Sequence, residues 1–333
     1  MKEEDIRPKE IFDKYLKLTI DDCKFFFKNE AKNVFKCPVH NEAKGIDIFK
    51  KNGFSYKKCE MCSSIYVSPR HSLSEYENFY LKGKSVNYWS KEFYKKTEDS
   101  RKQKLWRPKV ENLCKSKFLD LPIEQYSIID IGGGYGSFAE IMLEKNPKNI
   151  FVVEPNKKLA SICKNKGLEV IEKFSYELNS NDLPEGPKIF TSFELFEHLY
   201  DPKEFIVSLQ NIMNKGDILY ITTLTSSGID IKELKYHSKA INPPHHINFI
   251  SVNGIEEFLI NQNFSFVEIS TPGRLDIDIL LKQKNHIEND LLLDIVNNFD
   301  EQSLILFFAT RFWNSIRLCS SKLLTISKSR SFS

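Results

Sequence analysis

Residues 126–155 read YSIIDIGGGYGSFAEIMLEKNPKNIFVVEP, and this stretch decides the fold. Ser127 to Ile131 is a short apolar run that carries Asp130, the pattern of a buried strand. Gly132, Gly133, Gly134, Tyr135 and Gly136 follow as a loop, and a helix opens at Ser137. Glycine at four of these five positions is a backbone requirement. Without a Cβ the chain enters positive φ freely, and a ligand can lie against the main chain. A second apolar run, Ile150 to Val153, ends in Glu154. A carboxylate at the tip of the second strand of such a unit is placed to accept hydrogen bonds from both hydroxyls of a ribose.

The dinucleotide fingerprint G-x-G-x-x-G, started at Gly132, needs glycine at 137, where Ser137 stands. What is present is D-x-G-x-G-x-G, as Asp130, Gly132, Gly134 and Gly136. This resembles the first motif of the class I methyltransferases that use S-adenosylmethionine. The resemblance implies an α/β, Rossmann-like fold with a seven-stranded sheet, and a loop that passes under the methionine part of the cofactor. It makes Asp130, Gly132, Gly134, Gly136 and Glu154 candidate cofactor contacts.

Outward from the loop, α/β alternation continues. Helices are expected over Phe138–Glu144 and Asn156–Lys164, with a third strand at Glu169–Ile171. A fourth strand, Lys188 to Phe193, delivers Glu194, Glu197 and His198 at its carboxyl end, where open α/β sheets bind ligands. Glu194 and His198 therefore join the cofactor candidates; the alternative for the Glu197-His198 pair is helix capping and packing. Asp201-Pro202 starts a helix, and Asp217–Thr223 is a fifth strand. The connection from Leu224 to Ile250 is much longer than a typical loop. It carries His237, then Asn242-Pro243-Pro244-His245-His246, and its prolines hold the last two histidines near the ends of strands four and five. Beyond it the pattern predicts a helix over Ser251–Gln262, a sixth strand at Phe264–Ser270, a turn at Thr271–Arg274 and a seventh strand at Asp276–Leu281.

Toward the N-terminus stand Cys37 and His40, then eighteen residues, then Cys59 and Cys62. Two ligand pairs, each separated by two residues, is the spacing by which two tight turns converge on a tetrahedral zinc. Four ligands leave no open position for water, so the Zn2+ would be structural. The residues between them read as a hairpin broken at Asn52-Gly53. Lys50, Lys51, Lys57 and Lys58 lie near the knuckles, but the dense arginine and aromatic interleaving of a nucleic-acid face is missing, so no nucleic-acid partner is expected. From Ser68 to Asp120 the chain is helical and polar with scattered large aromatics. Tyr80 and Tyr88 are chosen from these as residues that fold over the mouth of the cofactor domain.

Taken together, the knuckle pairs, Tyr66-Val67-Ser68-Pro69-Arg70, the aromatic segment, the glycine loop and the later histidines are similar to a family of bacterial methyltransferases. In that family a zinc-binding N-terminal domain precedes the class I fold. The likeness spans residues 8 to 283. Its characterised members act on nucleotide-linked sugars, including sugar C-methyltransferases. The resemblance maps the catalytic base onto His246, with His245 where an acidic residue is usual, which sets O-methylation beside C-methylation. A sugar hydroxyl does not ionise at pH 7, whereas imidazole titrates near 6.5 and can take its proton.

The expected division is an N-terminal helical segment (1–35), a zinc-binding domain (36–70), a helical lid (71–120), the cofactor-binding domain (121–285) and a helical tail (286–333). At 333 residues, 41% hydrophobic and net charge +3, the chain can bury a core and has no global field that demands a polyanion. Seven cysteines without a signal peptide point to the cytoplasm, and no apolar run reaches the roughly 18 residues that span a bilayer. Leu304–Ala309 and the apolar residues to Leu318, with Lys322, Lys328 and Arg330, read as a docked helix, an oligomer contact or a peripheral membrane contact. Two other function classes stay open: an RNA or protein methyltransferase, and a zinc-ribbon binding protein that keeps the fold without turnover.

Overall fold

The computed structural model describes residues 2–270, 275–298, 304 and 322–328. The strand at the centre is the one the glycine loop follows. Ile128, Ile129 and Ile131 are buried, and so are Ser127 and Asp130 between them, because the strand is covered on both faces. Burial of each of the three isoleucines stabilises the fold by roughly 1.5–3 kcal/mol.

Two sheets carry the chain. The smaller contains β1 (Gly45–Lys51), β2 (Phe54–Cys59), β3 (Ile65–Val67) and, from far along the sequence, β9 (Asn248–Phe249). The larger holds β4 (Ser127–Ile131), β5 (Asn149–Val153), β6 (Glu169–Ile171), β7 (Lys188–Phe193), β8 (Ile218–Thr223), β10 (Phe264–Ser270) and β11 (Lys322–Lys328). Its order is β10-β11-β8-β7-β4-β5-β6. The five strands from β8 to β6 are parallel, and β11 runs antiparallel between β8 and β10. The strand order reverses at β4 and β7, so the crevice above their carboxyl ends is the natural ligand site.

Two expectations need correction. Asp276–Lys282 is a helix, not the seventh strand. Every residue from Asp276 to Leu280 is buried, and a short segment buried all round has no periodicity that separates strand from helix. The added strand is Lys322–Lys328, inside the tail that was read as helical, whereas Asp290–Asn298 in the same tail is a helix. The turn at 271–274 and the apolar stretch 305–318 lie outside the described residues.

The expected zinc-binding domain is also not a separate unit. β3 pairs with β9 of the long insertion, with Ile65 opposite Phe249 and Tyr66 opposite Asn248. Arg70, fully buried, ties the same seam: Nε donates to the Val67 carbonyl and Nη2 to Asn248 Oδ1 at 2.6 Å, and Nη1 donates to the Tyr200 carbonyl. The N-terminal helix Lys9–Phe26 joins the lid in the same way. Asp22 accepts hydrogen bonds from Lys84 N, Ser85 N and Ser85 Oγ, satisfying free N–H groups at the start of the helix Lys84–Tyr88. Among the described residues no helix is long and apolar enough to cross a membrane.

Candidate active site

A cavity of about 590 Å³ opens at the reversal point, between the glycine loop, the ends of β5 and β7, the lid helices and the insertion. Gly132, Gly134 and Gly136 have φ of +69°, +55° and +69°, as the glycine count requires. Their roles differ. A Cβ on Gly134 would meet nothing closer than 4.0 Å, so this residue opens the backbone to the cavity. A Cβ on Gly136 would stand 2.6 Å from Leu168 Cδ1, and Gly136 does not line the cavity. Gly136 is there for helix packing, which corrects its place among the cofactor contacts.

Glu154 lines the cavity and is tied down from behind. Its Oε2 accepts from Gly134 N at 3.0 Å and its Oε1 from Asn156 N at 2.9 Å. Each oxygen keeps a lone pair for a ribose hydroxyl. Burial pushes this carboxyl up to about 7. Asp130 sits one layer deeper and does not line the cavity. Thr191 Oγ1 donates to Oδ1 at 2.8 Å, and Oδ2 is buried without a partner. A Cβ on Gly133 would come within 2.6 Å of that oxygen. Asp130 therefore supports the loop from below. Burial raises it to about 7. An open backbone at Gly134 and a fixed carboxylate twenty residues on fit the nucleoside end of S-adenosylmethionine.

At the end of β7, Glu194 has a left-handed φ of +51°, a conformation that costs a non-glycine residue on the order of 1 kcal/mol. Lys109 Nζ holds it at 2.9 Å, and Thr222 Oγ1 donates to the same oxygen at 2.8 Å. Burial pushes its pKa up, but the ammonium beside it wins and holds the carboxyl at about 2. Glu197, three residues on, accepts from Thr223 Oγ1 at 2.8 Å and has no lysine within ion-pair distance among the described residues. Burial and then the Glu194 charge raise it to about 8. Lys109 thus favours the charged form of Glu194, while burial and the Glu194 charge favour the neutral form of Glu197.

The histidines come together as the insertion reading proposed. His246 Nδ1 lies 2.5 Å from the Ala240 carbonyl; since a carbonyl only accepts, the proton is on Nδ1 and Nε2 is the acceptor. Burial depresses His246 to about 4, so at neutral pH the ring is uncharged. Its ring centroid is 4.7 Å from that of His198, and ligand atoms of Glu197, His198 and His246 all lie within 4.8 Å of one another. His198 Nδ1 is 3.3 Å from Tyr80 Oη, and Tyr80 also donates to the His245 carbonyl. His245 plays a different part. Its ring packs against Tyr15 and Phe79, and its Nε2 reaches Ser85 Oγ at 3.1 Å, whose proton goes to Asp22. It lines the cavity while anchoring lid to insertion.

Tyr88 is not in the cavity: it packs beside Tyr15 and Phe93 with Lys14 over its face. Its neighbour Trp89 does line the wall, and Tyr94 stacks on Tyr135 of the glycine loop at 4.5 Å. The aromatic segment lines the mouth through Tyr80, which was chosen, and through Trp89 and Tyr94 in place of Tyr88. His237 stacks on His286, away from the cavity. Sequence reasoning also missed Arg7, Arg101 and Lys109. A basic residue just after Trp106-Arg107-Pro108 was the only signal for Lys109, and nothing local marks the others.

The second cluster lies on the outer side. Cys37, His40, Cys59 and Cys62 place one ligand atom each within 4.8 Å of all the others. Cys37 Sγ and Cys62 Sγ are 3.6 Å apart, and Cys59 Sγ and His40 Nδ1 3.9 Å. A tetrahedron with Zn–S bonds of about 2.3 Å has edges of about 3.8 Å, so the set fits a zinc ion. His40 Nε2 meets Glu257 Oε1 at 2.8 Å, the outer carboxylate that turns a histidine into an oriented metal ligand.

Comparison with known proteins gives a consistent picture. A family model described as a methyltransferase domain matches residues 97–269, about half of the 333-residue chain. The mitochondrial ubiquinone biosynthesis O-methyltransferase of Dictyostelium discoideum is 23% identical over 171 residues, 45% of this chain and 53% of that protein. The chain therefore spans about half the length of the curated relative it matches. Phosphoethanolamine N-methyltransferase 2 of Haemonchus contortus, solved with S-adenosyl-L-methionine, shares the fold: TM-score 0.50, 13% identity, covering 80% of this chain and 62% of that one. A SAM-dependent methyltransferase of Archaeoglobus fulgidus aligns with TM-score 0.47 and 14% identity, over 77% of this chain and all of that one.

Proposed function

The chain belongs to the methyltransferase domain family and is an S-adenosylmethionine-dependent enzyme, and on that premise we propose that it methylates an oxygen of a sugar, nucleotide-linked or destined for a surface polysaccharide. The observation that carries the reading is His246: a neutral imidazole whose tautomer is set by Ala240 O and whose Nε2 is available in the cavity that holds the glycine loop. When bound, the cofactor supplies a methyl already activated on a sulfonium, which leaves as the neutral thioether. The acceptor oxygen forms the new C–O bond, and its proton passes to His246 Nε2. Glu154 would accept from the ribose hydroxyls, Lys109 keeps Glu194 charged at the cavity wall, and Trp89 with Tyr94 and Tyr135 would shield the cavity from water. The resemblance supports the sugar, and the curated O-methyltransferase relative supports oxygen over carbon.

The four-ligand cluster is proposed to hold a structural zinc. It fixes the hairpin that carries β2 and β3, and through them the insertion: Tyr56 Oη donates to the His246 carbonyl at 2.7 Å.

His246→Ala tests the reading. Turnover should fall by about 10²–10⁴-fold while affinity for S-adenosylhomocysteine stays within twofold. Retained turnover would remove His246 from the mechanism. Glu197, His198 and His246 also have the spacing of a three-ligand cation site, and turnover that needs a divalent ion after chelation would reassign His246 from base to ligand. A labelled-methyl assay against nucleotide-sugars and RNA tests the acceptor class; methylation of RNA alone would replace the sugar.

A further inference from the structure

Two adjacent histidines present opposite nitrogens to the cavity. His246 keeps its proton on Nδ1, at the Ala240 carbonyl, and opens Nε2. For His245 the proton is placed by two residues distant in sequence, Asp22 of the N-terminal helix Lys9–Phe26 and Ser85 of the lid helix Lys84–Tyr88. Both are buried, with exposures of 1% and 0%.

Asp22 accepts from Lys84 N at 2.9 Å through Oδ1, and from Ser85 N at 2.7 Å and Ser85 Oγ at 2.6 Å through Oδ2. A carboxylate only accepts, so the one hydroxyl proton of Ser85 points at Asp22. Ser85 Oγ then faces His245 Nε2, 3.1 Å away, with its lone pairs. Only an N–H on Nε2 completes that contact. Burial holds His245 well below its ordinary pKa, so the ring carries a single proton and Nδ1 is bare. The ring is wedged between Tyr15 and Phe79, at 5.3 and 4.8 Å between centroids, and Tyr80 Oη donates to the carbonyl of the same residue. Among the described residues Nδ1 has no hydrogen-bond partner, yet it is not sealed off, and His245 lines the cavity.

Two bare imidazole nitrogens therefore open into one cavity. Their rings lie around His198, whose centroid is 6.1 Å from that of His245 and 4.7 Å from that of His246. A ligand that satisfies both nitrogens has to donate two hydrogen bonds, and the reacting group supplies one.

Resting on the methyl-transfer reading above, we infer that Asp22 and Ser85 are positioning residues of the active site: they fix the Nε2–H tautomer of His245, and its Nδ1 accepts from a second donor on the methyl acceptor, beside the group that is methylated. The consequence is selectivity. An acceptor without the second donor leaves a buried lone pair unpaired, a mismatch that costs more than a missing methylene.

The test begins with full-length protein saturated with S-adenosylhomocysteine and isotopically labelled at the histidine nitrogens. The magnetic resonance signal that His245→Gln deletes should report a proton on Nε2 and none on Nδ1; a proton on Nδ1, or an even mixture, overturns the inference. Ser85→Ala keeps both backbone bonds to Asp22 and should lose the tautomer preference, with S-adenosylhomocysteine affinity within twofold of wild type. An unchanged spectrum removes Ser85 from the role. More than tenfold weaker affinity at an unchanged melting temperature puts Nδ1 on the cofactor, and either result overturns the inference. Kinetics then test the contact, with the nucleotide-sugars of the labelled-methyl assay as probes. Ser85→Ala and His245→Gln should each raise KM at least tenfold and change kcat less than threefold; an unchanged KM overturns it. If Ser85→Ala does not fold, the wild-type spectrum and the His245→Gln kinetics decide. Failure of the parent reading looks different: retained turnover in His246→Ala sinks the base, and methylation of RNA alone sinks the sugar, while the His245 tautomer stays as it was.

Discussion

His40 and His246 belong to clusters of similar tightness, each with its ligand atoms inside 4.8 Å, and each has one ring nitrogen held by a partner behind it. The partner differs. His40 offers Nε2 to the Glu257 carboxylate and turns Nδ1 toward three thiols; His246 gives Nδ1–H to the Ala240 carbonyl and turns Nε2 toward a cavity. A carboxylate raises the basicity of a ring and suits it to a cation. A carbonyl in a buried setting fixes the tautomer without adding charge, which leaves a neutral proton acceptor. The group behind the ring thus suits one histidine to a cation and the other to a proton.

The strongest way to break this comparison is to remove a thiolate. Cys59→Ser should lose stoichiometric zinc by elemental analysis and destabilise the chain by several kcal/mol, on the order of the binding energy such sites contribute to folding. Turnover should fall with it, because β3 supports β9 and Tyr56 holds the backbone of His246. An unchanged melting curve would mean that the cluster carries no metal. Next in size, Glu257→Gln removes only the outer carboxylate, and zinc affinity in a chelator competition should drop about 10–100-fold with the fold intact.

The second cluster is sharpened by pH. The free imidazole titrates near 6.5, and burial brings His246 to about 4; the ring accepts a proton only above its folded pKa. In single-turnover measurements with S-adenosylmethionine already bound, His246 should therefore add no acid limb between pH 8 and 5, while a limb near 7 that Glu154→Gln removes belongs to the raised carboxyl of Glu154. A limb at 6.5 that persists in Glu154→Gln would show a solvated ring. The smallest effect belongs to Tyr56→Phe, which deletes one hydrogen bond of about 1 kcal/mol and should lower kcat two- to tenfold without changing zinc content. Wild-type kcat would separate the knuckle sheet from the catalytic loop.

How much of this was legible beforehand follows the range of the interactions. The β4–loop–helix unit, the hairpin turn at Asn52-Gly53 and the four metal-ligand candidates were readable because each is set within a few residues by φ, side-chain period or ligand spacing. Tyr88 was chosen where Trp89 lines the wall, since helical phase at a cavity edge depends on how the helix is seated. Asp276–Lys282 was misread because complete burial erases the alternation that identifies a strand.

The sequence alone determined the cofactor class and the identities of the candidate metal ligands: a backbone that only glycine can follow, and thiols at a spacing that two tight turns bring together. Tertiary structure decided what those parts do for one another. Joining β9 to β3 and setting Tyr56 against the His246 carbonyl are contacts across nearly two hundred residues, and no local preference of the chain encodes them. They exist because burying both sheets leaves the insertion one place to lie.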